Sequence, residues 1–357
     1  MGTPDVDARI YFSVENPDRP LQVYVMPVIS FISTIVNFLS FYLIFMQSAK
    51  ESKEYKIVLF FHNLSLYLAQ LFWGSIINMV FLLPFPAVYS IGPLKDYLNC
   101  FYLTGVWFAL FGWSALMMFW MLLVRLQALA RKDSIFSFDD KAYLAVMMIL
   151  VLYVFPPIFG AWIPGFSSEE KTRQYVMKYY PNCLKALELP GIFVNTSKAA
   201  ILAVTIVAFG LLGSGAMLYV LLCFIIIYEI QKQSSTWSSR KRKYHVKVLK
   251  DTVIQNLVKC VFLAAAPATE LWNIFLDPST NTIWLTMIAN IIFVAAPIPC
   301  TLLMFYQTRT YRKFFVEKLG CYCCVSGAPP AISKLENSRK SGAIIFTVQQ
   351  KTRVTSK

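Results

Sequence analysis

The chain has 357 residues, of which 57% are hydrophobic, 16% aromatic and only 15% charged, well below the roughly 25% charged content of an average soluble protein. That excludes a soluble globular domain and places the chain with multi-pass membrane proteins. A formal net charge of +14 suggests a polyanionic partner only until the Lys and Arg are mapped, because in a membrane protein their distribution matters more than their sum.

Residues 1–21 show no basic stretch followed by a short apolar core, so no cleavable signal peptide is expected and the first apolar span serves as its own insertion signal. A bilayer core of about 30 Å needs roughly 20 apolar residues in a helix that satisfies its own backbone groups. Seven stretches qualify, at about 22–46, 57–83, 98–124, 142–165, 199–228, 254–276 and 282–306. They predict an all-α membrane protein, a seven-transmembrane bundle over 22–306. The second span leaves through LLPFPAVYSIGP, which reads as a loop, and the fourth carries the kinking pair Pro156-Pro157. No internal repeat is visible and seven spans do not halve, which argues against a transporter built from inverted repeats.

An odd number of spans puts the termini on opposite sides. Segments 47–56, 125–141 and 231–250 with the tail from 307 hold 24 of the 33 Lys and Arg, the opposite segments hold 8, and Lys259 lies within the sixth span. The positive-inside rule then sets the N-terminus outside and the C-terminus inside. The basic run SSRKRKYHVKVLK at 238–250, which in isolation resembles a nuclear address or nucleic-acid patch, falls between the fifth and sixth spans. Topology explains its charge, with the anionic inner leaflet as its natural neighbour; no nucleic-acid partner is expected.

In the third span Thr104, Trp107, Phe108 and Phe111 recur at helical spacing as one stripe, within a run that also holds Trp113, Phe119 and Trp120. Turned to the bundle axis, the stripe lines a mostly apolar pocket with one hydroxyl, suited to a small weakly polar molecule. Turned to lipid, it is packing and anchoring. Trp73 and Asn78 of the second span and Trp284, Met287 and Asn290 of the seventh are placed to complete such a pocket. Glu270, three residues after Pro267 near the outer end of the sixth span, either faces that cavity or reaches interfacial water. Lys259, near the inner end of the same span, is expected to snorkel, and His62 and Asn63 to bond between helices.

Cys100 and Cys183 are the two cysteines expected on the oxidising side; a disulfide between them is allowed, and two separate thiols are the alternative. Asn195-Thr196-Ser197 is a glycosylation acceptor close to the fifth span. After the seventh span, TRTYRKFFVEKLGCYCC predicts a short amphipathic helix over 307–320 on the inner membrane surface, then a basic cytoplasmic tail, 321–357. Cys321, Cys323 and Cys324 are candidate palmitoylation sites; a zinc site would need a fourth ligand that is not nearby. The two histidines, His62 and His245, sit beside no acid or nucleophile, and no catalytic, cofactor or metal-binding constellation emerges.

Together these features resemble a G-protein-coupled receptor, though Arg125 in LLVRLQALARK lacks the acid of D-R-Y, VAAPIPCTLLMFYQ replaces N-P-x-x-Y, and C-W-x-P is missing from the sixth span. The closer resemblance is to nematode serpentine chemoreceptors of the Str-type superfamily, classes H and I. It rests on KEYKIVLFFHNLSLYLAQ, LLPFPAVYSIG, EEKTRQYVMKYYPNCL and YRKFF. It implies a chemosensory receptor in the plasma membrane of a sensory cilium, taking a small-molecule odorant among the outer helix halves and signalling through a heterotrimeric G protein. Arg125 would meet that G protein, helped by Arg240, Lys241 and, beyond Val246, Lys247 at the foot of the sixth helix. A transporter, a ligand-gated channel and a membrane scaffold are the competing classes.

Overall fold

The computed structural model describes residues 22–47, 53–82, 85–131, 134–189, 191–234, 236–275 and 283–319. The apolar runs become helices because a backbone with no water to bond has only its own next turn as partner. In chain order these are α1 (Gln22–Gln47), α2 (Lys53–Leu71), α3 (Cys100–Leu129), α4 (Asp140–Trp162), the short α5 (Glu169–Tyr179), α6 (Lys198–Lys232) and α7 (Ser239–Phe275). The seventh span comes next in two pieces, α8 (Ile283–Ala295) and α9 (Pro297–Gln307). Pro297 brings no N–H to the ladder, so the helix steps at Ala296 and resumes. α4, by contrast, runs through Pro156 and Pro157. Three of the long helices, α3, α4 and α6, open on side-chain caps: Asn99 accepts from the Phe101 N–H at 2.8 Å, Asp139 from Ala142 at 2.8 Å and Ser197 from Ala200 at 3.2 Å.

Among the described residues six helical segments are long and apolar enough to cross a membrane: α1, α2, α3, α4, α6 and the α8–α9 pair. α7 is the remaining span, and it begins 15 residues before the apolar run, so the basic stretch is its first turns rather than a loop. α3 packs against α2, α4 and α6, while α7 lies on α8. α4 and α6 turn Leu144, Met148, Leu152, Leu202, Ile206 and Phe209 outward, an apolar surface of the kind that lipid covers.

The second span does not continue to 83. From Phe72 to Ile77 it widens into a π turn. The Asn78 N–H then donates to the Trp73 carbonyl at 2.8 Å with Asn78 in the left-handed region, φ 46°. The chain leaves as β1 (Met79–Phe81) and returns as β2 (Ala87–Ser90), to which β3 (Phe193–Val194) adds, all antiparallel in the order β1-β2-β3. Met79 pairs with Ser90, and Val88 with both Phe81 and Phe193. The sheet and α5 share a core of Leu82, Phe85, Tyr89, Val176, Cys183, Ala186 and Val194 that caps one end of the bundle.

The expected Cys100–Cys183 disulfide is not formed. Cys183 belongs to the cap core, whereas Cys100 belongs to the main core with Phe101, Leu103 and Trp107. What ties the long segment down is backbone: Cys100 N–H donates to the Gly191 carbonyl at 2.7 Å, and the Asn99 amide to Ile192 at 3.2 Å. Gly191 has φ 65°, and a Cβ there would lie 2.8 Å from the Lys95 carbonyl. Asn195, the glycosylation acceptor of the sequence, is 8% exposed, with its Oδ1 accepting from Ser197 N–H at 3.1 Å and its own N–H donating to Pro86 at 2.8 Å.

From Arg312 onward the chain forms a second unit. Its described part completes α10 (Arg309–Leu319), where Phe314 and Phe315 meet edge to face at 5.9 Å. Cys321, Cys323 and Cys324 lie outside the described residues.

Gly191→Ala should destabilise the protein by about 1–3 kcal/mol, read as a lower thermal midpoint of the purified protein in lipid nanodiscs. Gly213→Ala, where nothing stands within 4 Å of a new Cβ, should be neutral or mildly stabilising in the same assay.

Candidate functional site

Beneath the cap, three spans meet in an aromatic knot. The Trp73 ring lies 4.4 Å from Trp107, and Phe293 meets both edge to face at 5.5 and 5.8 Å. The Trp73 indole N–H donates to Asn290 Oδ1 at 3.2 Å, joining the end of α2 to α8. A second triangle, Phe101, Trp162 and Phe193, joins α3, α4 and β3 at 5.1–5.3 Å.

The predicted stripe divides between these two clusters. Thr104 and Trp107 are buried toward β1 and α8, Phe111 contacts Trp107 at 5.3 Å, and Phe108 turns toward Trp162 at 5.2 Å. The Thr104 hydroxyl donates to the Cys100 carbonyl at 2.7 Å and also approaches Met79 Sδ. Its O–H is thus engaged by its own helix. The polar groups left over are the indole N–H groups of Trp107 and Trp162, both buried and without an acceptor. Met287, Asn290 and Asn78 are buried as well. The side chains of Glu270 and Trp284 lie outside the described residues. Farther along α3, Trp113 approaches Phe61 of α2, and the Trp120 indole donates to Tyr143 at 2.8 Å.

Midway down the bundle Lys259 is 3% exposed. It does not snorkel: its Nζ is hydrogen-bonded to His62 Nε2 of α2, which is itself 1% exposed. The His62 side chain therefore bonds between helices as expected. Asn63, whose amide donates to Leu59 within its own helix at 3.0 Å, also reaches Met304 Sδ of α9 at 3.7 Å.

At the basic end, Arg125 is half-buried with its guanidinium 3.7 Å above the Tyr55 ring, a cation–π contact between α3 and α2. Close by, the connection after α3 is fastened to α6. Ser134 donates to the carboxylate of the fully buried Glu229 at 2.7 Å, Gln233 donates to the Leu129 carbonyl at 2.5 Å, and Arg131 donates to Thr236 at 3.1 Å. Arg240, Lys241, Val246 and Lys247 are exposed on the first turns of α7. Lys241 rests on Trp237 at 4.6 Å, whose ring lies 4.8 Å from His245. Burial, then the charges of Lys241 and Arg125, hold the His245 imidazole below its ordinary range.

Sequence reasoning passed over Glu229, although an acid in IIIYEIQK at the end of an apolar span is a signal in itself. Trp162 was passed over too, and nothing marks Phe293 among 29 phenylalanines.

Seven spans with a strand cap over an aromatic knot at one end make a seven-transmembrane bundle. The chain belongs to the serpentine type seven-transmembrane G-protein-coupled chemoreceptor family Srh, whose family model matches residues 20–321. The match selects class H from the two nematode classes that the motifs resemble. Among solved structures it is similar to the crystal structure of squid rhodopsin, with 14% identity, 91% of each chain covered and a TM-score of 0.47. Comparison with curated proteins gives no match.

Ser134→Ala should cost about 1–3 kcal/mol, because the buried Glu229 carboxylate loses a donor. Glu229→Gln, which still accepts from Ser134, should cost less; thermal midpoints rank the two. The lowered His245 pKa contributes stability that is present above the unfolded value of about 6.5 and is lost as pH falls through the folded value. Thermal midpoints of His245→Gln should accordingly fall less steeply from pH 7 to 5 than those of the parent protein.

Proposed function

We propose that this receptor is chemosensory, with the cap and aromatic knot facing outside and the basic end in the cytoplasm. A small external molecule enters beneath the β1–β3 sheet, and a heterotrimeric G protein docks against Arg125 and the first turns of α7. The carrying observation is the Trp73–Asn290–Trp107 knot: it joins three spans beneath the cap and leaves the buried Trp107 N–H without an acceptor. A ligand that fits there favours one arrangement of those spans and shifts the population toward it. The orientation rests on the Lys and Arg bias.

At the other end, the Tyr55 ring is the restraint on Arg125, in the place where D-R-Y receptors set an acid. α10 has the one-sided pattern of a helix lying on the inner membrane surface, and the cysteines after it are candidates for acylation. Plasma membrane of a sensory cilium is the expected site of action.

The test is expression in a reporter cell with a promiscuous G protein and a panel of small odorants, with surface levels matched by an external tag. For an active odorant, Trp107→Phe should raise the half-maximal concentration roughly tenfold, the effect of one lost hydrogen bond of about 1.4 kcal/mol. Arg125→Ala should abolish signalling, and Tyr55→Leu should raise it without ligand. Cys100→Ser should leave it intact. Wild-type responses from Trp107→Phe and Arg125→Ala together would remove both assigned sites, and ligand-gated current in a cell lacking G proteins would replace the receptor with a channel.

A further inference from the structure

We propose that the His62–Lys259 pair is the cationic half of a binding site for a small monovalent anion of the chloride class. The pair lies between α2 and α7. Both side chains are more than nine-tenths buried. Neither has a carboxylate partner among the described residues. On α7 itself the nearest acids are Asp251 and Glu270, about 12 and 16 Å away along the helix axis.

The Lys259–His62 contact is a nitrogen-to-nitrogen hydrogen bond. When Lys259 is the ammonium donor, His62 Nε2 accepts and the ring proton must sit on Nδ1, which is buried and has no partner. When the proton has moved to the imidazole, Nδ1 is again an N–H. In either protonated form one positive charge and at least one stranded N–H occupy the low-dielectric interior, an arrangement that is unfavourable without a counter-charge. The amine and the imidazole supply donors and no anionic oxygen. A halide supplies both missing things at once, one negative charge and an acceptor with no directional demand. The pair itself is a cross-link of two spans, so an anion that holds it protonated fastens α2 to α7.

The experiment is thermal unfolding of the purified full-length receptor in lipid nanodiscs at pH 7, with chloride raised from 1 to 100 mM and gluconate keeping ionic strength constant. The midpoint should rise by roughly 4 °C or more with chloride or bromide. Lys259→Met, which removes the charge and keeps the length, should reduce the rise to about 1 °C or less; such replacements of buried ions are commonly tolerated. Should Lys259→Met not fold, His62→Asn is measured in its place, with the same expected loss. Independently, bromide-grown crystals of the parent receptor should give an anomalous peak beside this pair. Equal midpoints in chloride and gluconate, an equal chloride effect in parent and variant, or a bromide peak elsewhere only, each overturns the proposal.

Discussion

In hydrocarbon a peptide group that leaves its helix finds no water, and this constraint governs where each span of the receptor ends and which structure takes over from it. Where α2 stops, the widened turn at 72–77 still closes an internal bond to Asn78, and the next groups go directly into a strand pair. Where Pro297 interrupts the seventh span, Cys300 still bonds back to Ala296. The cap is therefore a continuation of the same requirement: the sheet supplies partners to a backbone that has stopped being helical while still close to the bundle. Gly92 shows how tightly the two are joined, since a Cβ there would lie 2.0 Å from the Ile76 carbonyl in the π turn that follows α2.

With backbone demands met, side chains decide which helix faces which. Lipid offers little incentive for apolar surfaces to leave it, so shape and polar contacts choose the partners. The faces that the receptor buries carry them: Trp73 to Asn290, His62 to Lys259, Asn256 to Tyr219 at 2.8 Å, and Gln255 to Gln307 at 2.6 Å. Each contributes about 1 kcal/mol or less, yet each also fixes rotation, because a helix turned by one residue would bury the polar group without its partner.

The spans were legible because hydropathy over some 20 residues is a long-range average that single residues do not disturb. α4 and α6, the most lipid-exposed, match their apolar runs within two residues at the start. The strands were not legible: three- and four-residue pieces such as Met79–Phe81 and Ala87–Ser90 carry no periodicity of their own, and the sheet they form is completed by residues 193–194, more than a hundred positions away. The cysteines misled for a related reason. Topology limits which side a thiol occupies, while the direction of Cys183 is set by the cap core it helps to fill. The aromatic stripe was visible as a stripe, but helical spacing cannot say that Trp107 and Phe108 part toward different helices. Lys259 looked like a snorkelling residue because its distance from the span end permits that; the partner that keeps it inside is 197 positions away.

One helix carries a contact at each level of the bundle. Tyr55, His62 and Trp73 all belong to α2 or its π-turn extension, spaced by seven and eleven residues, so ordinary helical geometry sets them near one face over about 27 Å. Tyr55 holds Arg125 of α3, His62 holds Lys259 of α7, and Trp73 holds Asn290 of α8 while contacting Trp107 of α3. A rotation or shift of α2 at the knot cannot leave the lower two contacts unchanged, since a helix whose backbone bonds are all internal moves as a rod over such a length. The π turn at 72–77 is the one place where that rod is wider and its bonding pattern changes. It holds the knot residue Trp73 and leads directly into the strands of the cap, so that movement of the strands is delivered to the top of α2. On the proposed reading, a ligand under the cap acts on the basic end through this helix, with the polar pair at its middle setting how firmly the rod is held to α7.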